Sequence, residues 1–284
     1  MNLIELKDVT FTYKGESKPA VEDITLEVRE GESLCIMGPS GCGKTTLCYI
    51  LSGVIPFLVE GDFKGEVLYR GENAHRVREK RGYLGVGLVL QDPESQLISL
   101  KVERELAFGP ENIGLPPQII RERVMEIAEA LGISHLLDRS TYELSGGELQ
   151  RVAIGSLLTL YPEVLIFDEP TSNLDHHGLH SLKEMLKALK QRGYTIVVVE
   201  HDVEHLLEVF DRIVLMSNGR ILISGEPVEA LLSREAEKAG VSIPLPLRLY
   251  KELRKKGVKL PKPPLTVQEL LELLGDVVGR APTP

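Results

Sequence analysis

The sequence predicts an α/β protein with a mixed core sheet, an N-terminal antiparallel β layer, an inserted α-helical subdomain and a small C-terminal helical extension. Three observations carry that prediction. Residues 2–36 alternate polar and apolar side chains in steps of two; short apolar strands at 33–37, 163–169 and 194–200 are joined to helical text; and roughly 92–160 is mainly helical. Strands that alternate with helices pair in parallel, so a ligand is expected where their carboxyl ends meet.

The first layer sets Leu3, Glu5 and Lys7 against Ile4, Leu6 and Val9, then spaces Ile24, Leu26 and Val28 between polar residues, with the turn-rich KGESKP between. From Ser33 the text changes to SLCIM, a glycine-rich turn and the helix TTLCYILSG. Inside the helical insertion, RERVMEIAEALG places Val124, Ile127, Ala128 and Leu131 on one face and ends at Gly132. EVLIFDE and YTIVVVE follow as strands separated by a helix around SLKEMLKALK. DRIVLMSNGRILISG reads as a hairpin turning at Asn218-Gly219. Beyond it, TVQELLELLG opens with a capping box, Thr266 with Glu269, sets Val267, Leu270, Leu271 and Leu274 on one face, and is expected to stop at Gly275. The basic run RVREKRG at 76–82 reads as a solvated turn, as do His176 and His177.

The chain has 284 residues and a formal net charge of −9, which argues against a broad basic footprint for nucleic acid or an anionic membrane. Membrane contact is therefore expected through a protein partner, with no nucleic acid. No apolar run approaches the ~18–20 residues of a membrane helix, and Glu5, Lys7 and Asp8 interrupt any signal-peptide core. Cys35, Cys42 and Cys48 are odd in number and lack metal-type pairing, which favours a reducing compartment. Residence in the cytoplasm is expected.

Gly38-Pro39-Ser40-Gly41-Cys42-Gly43-Lys44-Thr45 fits G-x-x-x-x-G-K-[ST], with Thr46 next. Glycines there let backbone N–H groups cradle phosphates, Lys44 reaches the terminal phosphates, the Thr45 hydroxyl serves Mg²⁺, and the helix N-terminus adds its positive end. At the end of VLIFDE, Asp168 is the metal candidate and Glu169 the general base. Capping of the next helix is the plainer role for both. Ser145-Gly146-Gly147-Glu148 opens a helix as a capping box and could also offer a second anion site. His201 and His205 stand four apart, but H-D-V-E-H lacks the glutamate after its first histidine and a third ligand, so zinc is not expected.

The string LSGGELQR at 144–151 resembles the signature of the ATP-binding cassette (ABC) ATPases, and the other motifs of that family line up in order over about residues 1–230. The resemblance implies ATP and Mg²⁺ as ligands. It implies that Tyr13 stacks on adenine, that Gln91 touches Mg²⁺ and water and reports to a transport partner, and that Asp175 contacts an opposite subunit. By the same resemblance His201 meets the γ-phosphate. The D-loop reads SNLD where a glycine commonly precedes Leu-Asp, and Asn173 suits the left-handed backbone expected there. DPESQL at 92–97, AFGPENIGLP at 107–116 and the tail IPLPLRLYKELRKKG resemble the ATPases of energy-coupling factor transporters, including cobalt and nickel uptake systems. That implies a homodimer, or a heterodimer with a paralogue, which closes head to tail over two ATPs at the cytoplasmic face of the membrane. It also implies a membrane scaffold gripped near Leu97, Ile98 and Phe108, and a substrate-binding membrane subunit. Residues 231–284 are expected to form an extension that makes dimer contact. A soluble ABC ATPase acting on nucleic acid, the ribosome or cofactor assembly is the alternative, although tandem cassettes, coiled coils and basic arms are not visible.

Overall fold

The computed structural model describes residues 1–172 and 174–278. The elements run β1 (Asn2–Tyr13), β2 (Val21–Arg29), β3 (Ser33–Met37), α1 (Lys44–Leu51), β4 (Gly61–Tyr69), β5 (Glu72–Asn73), α2 (Ala74–Arg81) and β6 (Val86–Val89). The helices α3 (Pro93–Gln96), α4 (Val102–Asn112), α5 (Pro117–Ala130) and α6 (Gly146–Leu158) follow. Then come β7 (Val164–Asp168), α7 (His176–Gln191), β8 (Thr195–Glu200), β9 (Arg212–Ser217) and β10 (Arg220–Gly225). The chain closes with α8 (Pro227–Leu232), α9 (Arg234–Ala239), α10 (Leu245–Lys255) and α11 (Val267–Val278).

Two sheets result, β2-β1-β4-β5, all antiparallel, and β10-β9-β3-β8-β7-β6, parallel except for the terminal hairpin. The core strands are continuously apolar because both faces are covered. Leu34, Ile36, Val197 and Val199 face α1 and the antiparallel layer, whereas Cys35, Met37, Val198 and Phe167 face α7, α6 and the first helices of the C-terminal segment. Leu231, Ala236 and Leu247 join that second cluster, so residues 231–247 pack on the same core as β9. The helical insertion has its own cluster, around Leu106, Val124, Ala128 and Val152. Leu260, Leu270 and Leu273 pack with Tyr250 and Leu253 between α10 and α11.

Several local expectations need correction. The antiparallel layer takes its other strands from 61–73, while 33–37 belongs to the core sheet. Residues 76–81 are helical: Asn73 caps α2 by accepting the His75 N–H, and Val77 is buried beneath the basic side chains. His176 and His177 open α7, where the Asp175 carboxylate accepts the Gly178 N–H at 2.7 Å. α11 continues through Gly275 to Val278, since one glycine weakens a helix without necessarily ending it. Its capping is reciprocal in a shifted form, with the Glu269 N–H donating to the Thr266 hydroxyl and the Glu269 carboxylate accepting from the Leu265 N–H. Asn173, on which the left-handed D-loop backbone was expected, lies outside the described residues.

Candidate functional site

In the core sheet β8 lies between β3 and β7 with all three parallel, so Gly38, Asp168-Glu169 and Glu200-His201 emerge at one edge. This is the crevice at the strands' carboxyl ends where doubly wound sheets bind ligands. The loop after β3 cannot carry side chains at its ends. A Cβ on Gly38 would lie 2.5 Å from the Met216 carbonyl oxygen and from Cys42 Sγ. Gly43 has φ +103°, and a Cβ there would lie 2.4 Å from the Ala20 carbonyl oxygen. Gly43 is also the residue before α1, so the loop delivers its backbone directly onto that helix N-terminus.

Lys44 is 4 % exposed, and its ammonium lies at the centre of the cluster. It donates to the carbonyls of Gly38 at 3.0 Å and Pro39 at 3.2 Å, and lies 3.7 Å from Glu169 Oε1. His201 Nε2 is 2.6 Å from that same Oε1, while Nδ1 is 3.1 Å from the Gly38 carbonyl oxygen. Both ring nitrogens also lie near the Lys44 ammonium, at 3.4 Å from Nδ1 and 3.5 Å from Nε2, so the imidazole bridges the phosphate loop and Glu169. Glu169 has φ 47°, a left-handed backbone uncommon for a non-glycine residue, and its N–H still donates to the Val199 carbonyl at 3.0 Å. That kink turns the carboxylate away from the strand path and toward Lys44 and His201.

Asp168 ends β7 almost fully buried, and the Thr45 hydroxyl donates to its Oδ1 at 3.4 Å. Burial pushes the Asp168 carboxyl up, with the Thr45 hydroxyl acting in the opposite direction. A buried carboxylate and a hydroxyl side by side at the loop are hard oxygen donors of the kind Mg²⁺ takes, so these residues fit the ion. Tyr13, at the end of β1, shares a 3.0 Å hydrogen bond between its hydroxyl and that of Thr46, which sets the ring beside the first turn of α1.

Ser145, Gly146, Gly147 and Glu148 form a capping box at the start of α6, in which the Glu148 carboxylate accepts from the Ser145 N–H at 2.8 Å and its hydroxyl at 2.7 Å. Those bonds hold the Glu148 carboxyl below its ordinary range. Among the described residues, no hydrogen bond or ion pair joins 145–148 to the phosphate loop, Asp168, Glu169 or His201. Gln91, exposed two residues beyond β6, lines a cavity with Gly146, Gln150 and Pro170. Leu97 packs against the helical cluster, while Ile98 and Phe108 are exposed, as is Leu100, which the sequence reading did not single out. His205 is not on a helix with His201, and among the described residues no three His, Cys, Asp or Glu side chains gather as a metal site.

Two further residues were missed. Gln150 Nε2 donates to the Pro170 carbonyl at 3.2 Å and so ties α6 to the turn after Glu169. Glu200 is buried between Thr171 and His201. The sequence signal for Glu200 is a carboxylate closing an otherwise apolar strand.

A family model described as ABC transporter matches residues 21–172, more than half of the chain. The chain belongs to the ABC transporter family. Among curated relatives whose names place them provisionally as ABC transporter ATP-binding proteins, one from Pyrococcus abyssi is 38% identical over 88% of this chain and 90% of its own length. Another, from Methanosarcina acetivorans, is 42% identical over 83% of this chain. The ABC chain spans 38% of the Methanosarcina protein and 45% of a Treponema denticola relative, less than half the length of each. Among solved structures, cbiO1 from Clostridium perfringens, part of the ABC transporter complex cbiONQ, superposes with TM-score 0.71 at 29% identity, covering 90% of this chain and 99% of that one. Among the described residues of this ABC protein, no helix is long and apolar enough to cross a membrane.

Proposed function

We propose that this ABC protein is the ATP-hydrolysing subunit of an energy-coupling factor transporter that powers uptake of a vitamin or a transition-metal ion. The observation that carries the ATPase reading is the convergence of Lys44, Thr45, Asp168, Glu169 and His201 at one sheet edge. Backbone N–H groups of the glycine loop and the α1 N-terminus bind the phosphates, and Lys44 draws its charge from a site where little water screens it. Thr45, Asp168 and Gln91 would hold Mg²⁺, which when bound neutralises phosphate charge and orients the terminal phosphoryl group. Glu169 accepts the proton of the attacking water as general base, and His201 holds that carboxylate in place through the 2.6 Å contact. Tyr13 offers its ring to the adenine.

The signature residues Ser145 to Glu148 act on the nucleotide of a second copy or a paralogue. Their N–H groups open a helix of their own, outside the network around Lys44. Asp175, at the start of α7, contacts that second copy in the same proposal. Residues near Leu97, Ile98 and Phe108 receive the membrane scaffold, which serves a separate substrate-binding subunit. The energy-coupling factor assignment draws on DPESQL, AFGPENIGLP and the tail after 230, and on the likeness to cbiO1. The test is purification from native membranes at the cytoplasmic face. Co-purifying integral membrane subunits, one of them carrying the transported ligand, are expected, and a complex lacking them would overturn the transport reading.

A further inference from the structure

Glu200 closes β8 at 3 % exposure and belongs to none of the recognised motifs. Its Oε1 accepts the Thr171 N–H at 2.9 Å, and its Oε2 accepts the His201 N–H at 3.3 Å. Thr171 lies two residues beyond Glu169 and His201 is the next residue of the chain, so one buried carboxylate grips both backbone corners that aim the 2.6 Å Glu169–His201 contact. The rest of the strand is Thr195 and Val-type residues that fill the core, and among the described residues no cation pairs with Glu200. Burying an unpaired carboxylate is costly, and here the Thr171 hydroxyl and the Thr171 and His201 N–H groups offset it.

We propose that Glu200 is a positioning residue for hydrolysis: as the carboxylate it clamps the turn after Glu169 to the peptide of His201, and on protonation it releases that corner. The inference rests on the reading of Glu169 and His201 as the hydrolytic pair. Burial pushes the Glu200 carboxyl up to about 7, against the pull of the Thr171 and His201 donors. The Glu169 carboxylate, at the end of neighbouring β7, pushes it the same way. Cys35 on β3 also faces it, its thiol held protonated by burial and by the Glu200 charge. His201 adjoins it on the chain. The charged form accepts at both oxygens, whereas a protonated carboxyl is a weaker acceptor and turns one oxygen into a donor facing an N–H.

The test compares the full-length wild type with Glu200→Gln, which keeps the volume and one acceptor but turns an NH2 group toward the second N–H. Hydrogen exchange at pH 8 should be about tenfold faster over 170–172 and 201–203 in the variant and unchanged over 34–37, the shift expected when a charge-assisted bond is lost. In ATP hydrolysis, wild-type kcat should fall as pH drops through about 7, whereas Glu200→Gln should be about tenfold slower at pH 8 and lack that acid limb, with KM for ATP unchanged. Unaltered exchange at both corners overturns the clamp, as does a variant that keeps the wild-type kcat and acid limb. A KM that rises in step with falling kcat also overturns it, because that marks general loosening. Absence of ATP hydrolysis in the wild type would instead sink the ATPase reading, and the exchange comparison would still decide the clamp.

Discussion

The chain carries two glycine-rich helix starts, and they are built differently. At the first, Gly38 to Gly43, the ends are sterically forbidden to any other residue, and the lysine that follows is locked among two carbonyls, a carboxylate and an imidazole from three separate strand ends. At the second, Gly146 and Gly147 have nothing within 4 Å of where a Cβ would stand, and the serine and glutamate satisfy each other. The same local chemistry, free N–H groups at a helix start, is enclosed by the core sheet in one place and displayed on a surface in the other. An enclosed loop can bind phosphate and arrange the groups that act on it. A displayed one contributes only when another molecule brings the phosphate to it.

The largest test of that contrast is Glu169→Gln, which removes the carboxylate proposed as the base yet keeps its shape. Turnover should fall about 10²- to 10³-fold with ATP binding retained, as measured by hydrolysis and by equilibrium binding on the same preparation. Hydrolysis at the wild-type rate would remove Glu169 from its role. Lys44→Ala should come next, weakening ATP affinity about 10- to 100-fold in a titration, because charge-assisted bonds are worth about 1.5–3 kcal/mol each. Ser145→Ala should lower turnover about tenfold while the affinity of a single chain for ATP stays unchanged, and should cost about 1 kcal/mol of stability in denaturant unfolding through the lost cap. Mixing Ser145→Ala with Lys44→Ala should restore part of the turnover, since one composite site is then intact; no recovery would show that the two regions do not meet between copies. The smallest effect is expected for Tyr13→Phe, which removes the bond to Thr46 but keeps the ring, and should shift ATP affinity by about twofold.

Much of the site was legible because its chemistry is written in short contiguous strings. A glycine needed for close approach, a lysine and a hydroxyl must sit at fixed offsets around one strand–helix turn, so 38–45 could be read without knowing the fold. Asp168 and Glu169 were legible for the same reason, as carboxylates terminating a buried strand. The less local features were harder. β6 is four residues long and contains Gly87, whose missing side chain admits Leu157 of α6, so its period could not be read. α2 looked like a solvated run because its charges outnumber the two residues that anchor it, Ala74 and Val77. The arrest of α11 was misplaced at Gly275 because a glycine weakens a helix by about 1 kcal/mol without necessarily ending it.

Sequence by itself determined the identity of the groups and their local geometry: which residues turn, which cap, and which strand ends carry acid or imidazole. It determined this because turns and caps depend on neighbours in the chain. Only the tertiary structure decided that β8 separates β3 from β7, which brings three strand ends within one hydrogen-bonded cluster and sets Glu200 beneath two of them. Strand order is set by packing between segments distant in the chain, as where β3 at 33–37 pairs with β8 at 195–200. The role of a carboxylate such as Glu200 follows from what that packing places around it.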